Sequence, residues 1–426
     1  MKRLLALILL AAGGCYQSLQ QTESPLVAIQ IQDRNGLTET ITAPDRLELY
    51  QGTDFLHSQP YKKVLRVYKS DGKNRSQITT YHPSGTIWQY LEAEEMRAHG
   101  AYREWYANGQ QKIEAMVIGG TADVTPGSQQ DWLFDGLSQV WDEQGRLLAK
   151  IPYRNGMLEG MSVYYHSNGL PEKEIPFSQN RLEGDGFEYY PDGKLKSRSR
   201  YKYGSREGQC IGFFPSGETA WSEEYLEGLL RKASYYDPKG ELFSEIVNGG
   251  GYQTVFEGEK LTSVVEIRQG RPEGRVQTFY PSGEIRTSYW IKNGKKHGEE
   301  IEYYLPHERT DGGKDPLPKL SVFWHEDAIH GGVKTWYDSG KLRSQREYCR
   351  NQKMGPALSW YRDGSIMLIE EYEEDRLIKG QYYKKSQRDP VSAITNGSGV
   401  AFLYDDEGVF LKKVFYAKGK PIDPED

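Results

Sequence analysis

Cysteine, histidine and paired carboxylates are the residues of this chain that could do chemistry, and their spacing sorts them. Cys15 follows Lys2-Arg3, the apolar run Leu4–Leu10 and the small residues Ala11-Ala12-Gly13-Gly14. Positive, apolar and small-residue segments in that order read as a secretion signal, with Cys15 directly after them. His325 and His330, in H-E-D-A-I-H, are five apart. A zinc-binding helix needs them at i and i+4, so they are expected to be solvated polar residues, with no metal bound. Glu223-Glu224 and Glu370-Glu371 would face opposite ways on a strand and are expected to be surface charges. Asn74-Arg75-Ser76 and Asn396-Gly397-Ser398 fit the glycosylation sequon by chance. Gly294-Lys295 lacks the glycine spacing and the Ser/Thr of a phosphate loop, and no G-x-S-x-G elbow occurs. Neither a catalytic residue nor a cofactor is expected.

The elements that position these residues come from a repeat. Eleven turn glycines, from Gly85 to Gly408, each have an aromatic ring four positions earlier: Tyr81, Trp105, Trp141, Tyr165, Tyr189, Phe213, Tyr236, Phe279, Trp336, Trp360 and Tyr404. The intervals Gly145–Gly169–Gly193–Gly217 and Gly340–Gly364 are each 24 residues. Nine of the glycines have another nine positions before, as in Gly160, Gly184 and Gly208. Positions are numbered below from the turn glycine. Position +2 is mostly apolar and +8 often aromatic. Alternating runs around glycine turns read as hairpins, and a fixed period reads as stacked supersecondary units. The fold class expected is all-β: an elongated array of about 12–14 stacked β-hairpin repeats. Positions −4, +2 and +8 share parity, so strict alternation would put them on one face, with rings stacked from unit to unit.

Hydrophobic content is 37%, and much of it is rings: 31 Tyr, 13 Phe and 9 Trp. A net charge of −6 with mixed signs offers no basic stripe for nucleic acid. Domain limits follow: 1–15 signal peptide, 16–60 polar tether and capping hairpin, 61–420 repeat array, 421–426 acidic tail. Excess lengths place insertions near 119–130 and 309–319, and polar composition places a third near 386–398, all read as loops. Cys210 and Cys349 lie about six repeats apart, roughly 55–60 Å at two strands per repeat, so a disulfide between them is excluded. Position −3 is also aromatic in six units: Tyr106, Tyr190, Phe214, Tyr280, Tyr337 and Tyr361. By alternation these rings face away from the −4 stripe. Either they pack over the turn as a second layer, or they form an exposed row that docks a partner.

The pattern of ring, turn glycine, Leu, ring and N-G-x-x-x-G resembles the MORN repeat variant. The residues that carry the likeness are Tyr165–Gly169, Tyr189–Gly193, and Phe279–Gly283 with Asn293-Gly294 and Gly298, and it extends from about Tyr68 to Tyr416. It implies β-hairpin arrays acting as interaction or membrane-associated scaffolds. Similar bacterial sequences are called YwqK-type antitoxins, which implies neutralising a toxin by binding; binding of lipid headgroups by the repeats is a further implication. The segment around Cys15 resembles a bacterial lipobox, departing from it at Ala12, where Leu is usual. It implies a lipid-anchored protein of the bacterial cell envelope, at the outer membrane or periplasmic face in a diderm host. The partner expected is a protein, with the membrane engaged through the N-terminal lipid and neither nucleic acid nor small-molecule substrate.

Overall fold

The protein is described by a computed structural model covering residues 26–423, except 52, 54, 59–61 and 70–73. The signal segment, Cys15 and the tether to residue 25 lie outside the described residues, as do 424–426. Nearly all of the remainder is antiparallel strand, built as successive hairpins. No described helix is long and apolar enough to cross a membrane. The chain divides into two compact units: residues up to Leu170 with Phe177–Asn180, and Pro171–Pro176 with the residues from Arg181 onward.

Each regular repeat is a strand, a glycine turn, a second strand and a two-residue turn. In the Gly193 repeat the strands are Gly184–Tyr189 and Leu195–Lys202. The glycine turn is closed by Gly193 N–H donating to the Tyr190 carbonyl (2.9 Å) and Tyr190 N–H donating to Lys194 (2.9 Å). Gly193 sits at φ +84°, where a Cβ is disfavoured. The second turn, Tyr203-Gly204, has φ of +52° and +86°. Two positive φ values define the hairpin turn whose twist matches that of its strands. The same pair recurs as Asn155-Gly156, Asn248-Gly249, Asn293-Gly294 and Asn396-Gly397, so the second sequon-like asparagine is a turn residue.

The pairing register corrects the single-face expectation. Tyr189 opposes Leu195, but Glu188 opposes Ser197, leaving Lys196 as an extra residue at +3. The same shift occurs in the repeats of Gly217, Gly340, Gly364 and Gly408. One bulged residue reverses every later side chain. Position +8 therefore lies opposite the −9 glycine, as in Gly184–Tyr201 and Gly355–Tyr372, on the face away from −4 and +2. That face holds the core. In the Gly364 repeat, Ala357 and Ser359 are buried on one strand, and Tyr372 on the other, beside Leu377, Tyr382, Ile394 and Ala401.

In the first unit, strands β1 (Leu26–Asp33) and β2 (Thr38–Ile41) form a hairpin, and β1 also pairs with β3 (Lys62–Lys69). β4 (Arg75–Tyr81), β5 (Ile87–Glu94), β6 (Arg97–Trp105) and β7 (Gln111–Gly119) follow in order. The short helix α1 (Pro44–Glu48) covers one face through Leu47, packed with Ile29, Ile41, Leu65, Val67 and Tyr81. The other face holds Ile78, Leu91, Tyr102 and Val117 under Val124 and Trp132.

The expected insertions behave differently from free loops. The excess near 119–130 folds onto the sheet: Trp132 is buried against Tyr102, edge to face at 4.8 Å, and its indole N–H donates to the Thr121 carbonyl. Near 309–319 the chain is irregular, tied by Thr310 N–H to the Asp338 carbonyl and by the Arg309–Asp311 ion pair. The stretch 386–398 is not a loop. It contains the strand Pro390–Thr395, with Ile394 in the core, followed by the Asn396-Gly397 turn. Its polar residues had hidden a strand buried on one side.

Candidate functional site

Four groups of side chains have the composition of a functional site. The first is the −3 row. Tyr106 donates its hydroxyl to the Trp141 carbonyl (3.0 Å), Tyr190 to Phe213 (2.8 Å), Tyr280 to Tyr303 (3.0 Å), Tyr337 to Trp360 (2.7 Å) and Tyr361 to Tyr383 (2.6 Å). The acceptors Trp141, Phe213 and Trp360 are the −4 positions of the next repeats; Tyr303 and Tyr383 end the corresponding strands, with His307 and Gln387 in place of the turn glycine. Tyr304, in the repeat displaced by the 309–319 excess, does the same to Trp336 (2.7 Å). In the first regular repeat a histidine takes the place, His82 Nε2 meeting the Trp105 carbonyl at 2.8 Å. Phe214, Tyr337 and Tyr361 are 4, 2 and 0% exposed. The row is thus a set of staples between turns, and its buried members present no face to a partner. Burial raises the Tyr337 and Tyr361 hydroxyls to about 12.

The second group is carboxylates enclosed by phenols. Glu223, expected at the surface, is 3% exposed and accepts from Tyr235 (2.7 Å), Tyr225 (3.0 Å), Gln253 (3.0 Å) and Arg206 (3.1 Å). Glu370 accepts from Tyr382 (2.7 Å) and Tyr372 (3.0 Å). Glu224 and Glu371, their neighbours, are exposed. Burial first, and the carboxylate second, push the Tyr235, Tyr372 and Tyr382 hydroxyls well above the usual phenol value. A phenol so held stays protonated and donates; it does not act as a base near neutral pH. These clusters lock the core.

The third group brings His297 beside the two histidines singled out in the sequence: ring centroids are 5.1 Å apart for His297–His325 and 5.9 Å for His325–His330. His325 and His330 are exposed. Among the described residues no three His, Cys, Asp or Glu are arranged to hold a metal ion. Cys210 and Cys349 are free thiols, Cys210 buried.

The fourth is a groove of about 850 Å³ in the first unit. Two cross-strand rows make its floor. One runs Thr38–Gln32–Val64–Thr80–Gln89 across β2, β1, β3, β4 and β5; the other runs Thr40–Gln30–Arg66. Asp123, Val124, Thr125 and Pro126 of the folded-back insertion line it, as do Trp88, Arg34 and Pro83. The insertion is fixed by Arg66, which donates to the Ala122 carbonyl (3.3 Å) and to Asp123 (3.0 Å). Thr80 donates to Gln89 Oε1 (3.2 Å), and the Gln89 side-chain amide N–H donates to the Tyr102 hydroxyl (3.3 Å), which donates to Glu104 (2.8 Å). Trp88 is 42% exposed and stacks on His82 at 5.5 Å. Sequence reasoning missed this site. Its one visible signal was the excess at 119–130, since the irregular strands β1–β3 lie outside the repeat.

Two stretches, 182–203 and 329–350, match the family model for the MORN repeat variant. MORN repeats are generally non-catalytic modules for protein or membrane binding. No curated protein matches the chain. Among solved structures, the TcdB2-TccC3-TEV crystal structure is similar over 87% of this chain and 24% of its own, at 12% identity and TM-score 0.14. The Tc holotoxin pore of Photorhabdus luminescens is similar over 93% and 27%, at 11% identity and TM-score 0.11. A porin-like protein from Bacteroides uniformis is similar over 70% and 96%, at 8% identity and TM-score 0.16. The chain thus spans about a quarter of the two toxin chains. At these TM-scores the three likenesses carry no weight for fold or function.

Proposed function

We propose that this protein is a lipid-anchored scaffold of the bacterial cell envelope that binds a protein partner and catalyses no reaction. One observation carries the binding half. The interior carboxylates and staple hydroxyls are engaged by the repeats themselves, while consecutive strands of the second unit leave large apolar side chains in water. Leu242, Phe243, Val247 and Tyr252 are 49–60% exposed on the strands Leu242–Val247 and Gly250–Glu257. Phe243 meets Phe256 edge to face at 5.4 Å, and Phe256 meets Phe214 at 6.1 Å. Exposed apolar groups gathered on neighbouring strands mark interaction surfaces, and aromatic anchors dominate interface energetics. The anchoring half rests on Cys15 after its positive, apolar and small-residue segments.

The two halves are tested separately. Metabolic labelling with an alkyne palmitate and detergent-phase partitioning should label the wild type and not Cys15→Ala; equal behaviour of both removes the anchor. A photo-crosslinker at position 243 in the native envelope should give one discrete adduct, abolished by Tyr252→Asp. A uniform smear, or an adduct indifferent to that change, rejects a scaffold working through this surface.

A further inference from the structure

The groove of the first unit differs chemically from the apolar surface of the second. Its floor is neutral and rich in hydrogen-bonding groups: Gln30, Gln32, Thr38, Thr40, Thr80 and Gln89 supply amides and hydroxyls along two strand rows. Its charges are largely spent. Arg66 is paired with Asp123 at 3.0 Å, and Glu39 with Arg46 at 2.7 Å. Arg34 donates to the His82 carbonyl at 2.8 Å and to that of Pro83. Lys63 stands exposed among the lining residues, and one exposed ammonium does not make a phosphate site, which needs converging donors. An acyl chain laid along the floor would bury these amides and hydroxyls without partners, which is costly.

A flat apolar plate completes the set. Trp88 is the extra residue at the bulge of β5, between the Tyr81–Ile87 and Thr80–Gln89 pairs, and its indole is held against His82 with 42% of its surface free. An indole face beside amides and hydroxyls, with no unbalanced interior charge, complements a ligand that has an apolar C–H face and a polar hydroxyl edge. That is the chemistry of a sugar ring. The groove volume, about 850 Å³, lies within the roughly 300–1,000 Å³ usual for ligand sites and exceeds a single sugar. We propose that this groove is a binding site for an uncharged oligosaccharide, with Trp88 stacking on one ring and Gln30, Gln32 and Thr38 bonding to its hydroxyls.

The inference is independent of the scaffold reading, since it uses different residues in a different unit. The test is calorimetric titration of the purified full chain in detergent with linear neutral oligomers of glucose, N-acetylglucosamine, mannose and galactose. A Thr-Val repeat peptide and inorganic phosphate are titrated in parallel. At least one sugar oligomer should bind saturably and alter tryptophan emission. Trp88→Ala should weaken it by about tenfold, and Gln32→Ala by several-fold, with circular dichroism unchanged. Trp290→Ala, at a tryptophan exposed in the second unit, should leave the affinity intact. The proposal is overturned if no oligomer binds, if binding is indifferent to both groove substitutions, or if the peptide or phosphate binds in preference to every sugar.

Discussion

At the scale of single residues, each −3 tyrosine ties its turn to the next by donating its hydroxyl to a backbone carbonyl there, as Tyr190 does to Phe213 and Tyr361 to Tyr383. The recurrence of these rings is plain in the sequence. Their acceptor, a backbone carbonyl at the next turn, is not, because it depends on how neighbouring turns stack. The phenol-bonded half of each Glu-Glu pair was hidden for a related reason: an acid reads as surface until Tyr225 and Tyr235, or Tyr372 and Tyr382, are found around it. Removing one staple hydroxyl leaves a carbonyl unpaired in a buried turn. Tyr361→Phe should therefore cost about 1 kcal/mol of stability, read by urea denaturation, whereas Phe214→Tyr, where no hydroxyl is native, should not stabilise. Proton linkage gives a second expectation. The folded Tyr337 and Tyr361 hydroxyls sit at about 12, above the roughly 10 of a free phenol. The contribution is complete below pH 10 and is lost as pH rises through 12, because the unfolded chain ionises first. Stability should fall across that window, and less steeply in the double Tyr→Phe variant; a flat profile would contradict the assignment.

At the scale of the element, glycine spacing and ring spacing fixed the hairpins but not the faces. Parity counting assumed an unbroken pleat, and the single bulged residue at +3 reverses it, so the core is built from −7, −5, +4, +6 and +8 in place of −4 and +2. Acidic residues stand before several −9 glycines, as in Glu183-Gly184, Glu207-Gly208 and Glu273-Gly274. They cap the second turn: Glu183 accepts from the Tyr203 N–H, Glu207 from Glu227 and Glu273 from Asn293, at 2.7–2.8 Å. The bulge makes a sharp prediction. Deleting Met367, the extra residue between the Trp360–Ile366 and Ser359–Leu368 pairs, turns Tyr372 and Glu370 outward. Losing a buried aromatic costs about 3–5 kcal/mol, so the deletion should destabilise by at least that much. Met367→Ala, which keeps the count, should cost far less. Hydrogen exchange over 352–383 distinguishes them, and equal protection in the two variants would mean that the pleat tolerates either parity.

At the scale of the molecule, a chain of like hairpins derives its stability from each repeat and from each interface with its neighbour. Within the second unit the staples run from Tyr337 to Trp360 and from Tyr361 to Tyr383. Removing residues 341–364, one full period, takes out the hairpin strands Leu342–Cys349 and Gln352–Trp360 together. Tyr337 is then left one period from the Tyr383 carbonyl, so the same staple can re-form with a new partner. Removing only half a period, 341–352, takes out the strand Leu342–Cys349 and leaves 353–360 paired on one side only, with Ile366–Glu373, and its turns out of phase. The full-period deletion should fold cooperatively with lower stability, retaining the near-ultraviolet dichroism of its remaining rings. The half-period deletion should lose that signal over the second unit and expose the core that contains Leu377, Tyr382 and Ile394. Were the two deletions to behave alike, the repeat would be a pattern of sequence only, and the energetic unit of this protein would have to be sought at a longer range than one hairpin and its neighbour.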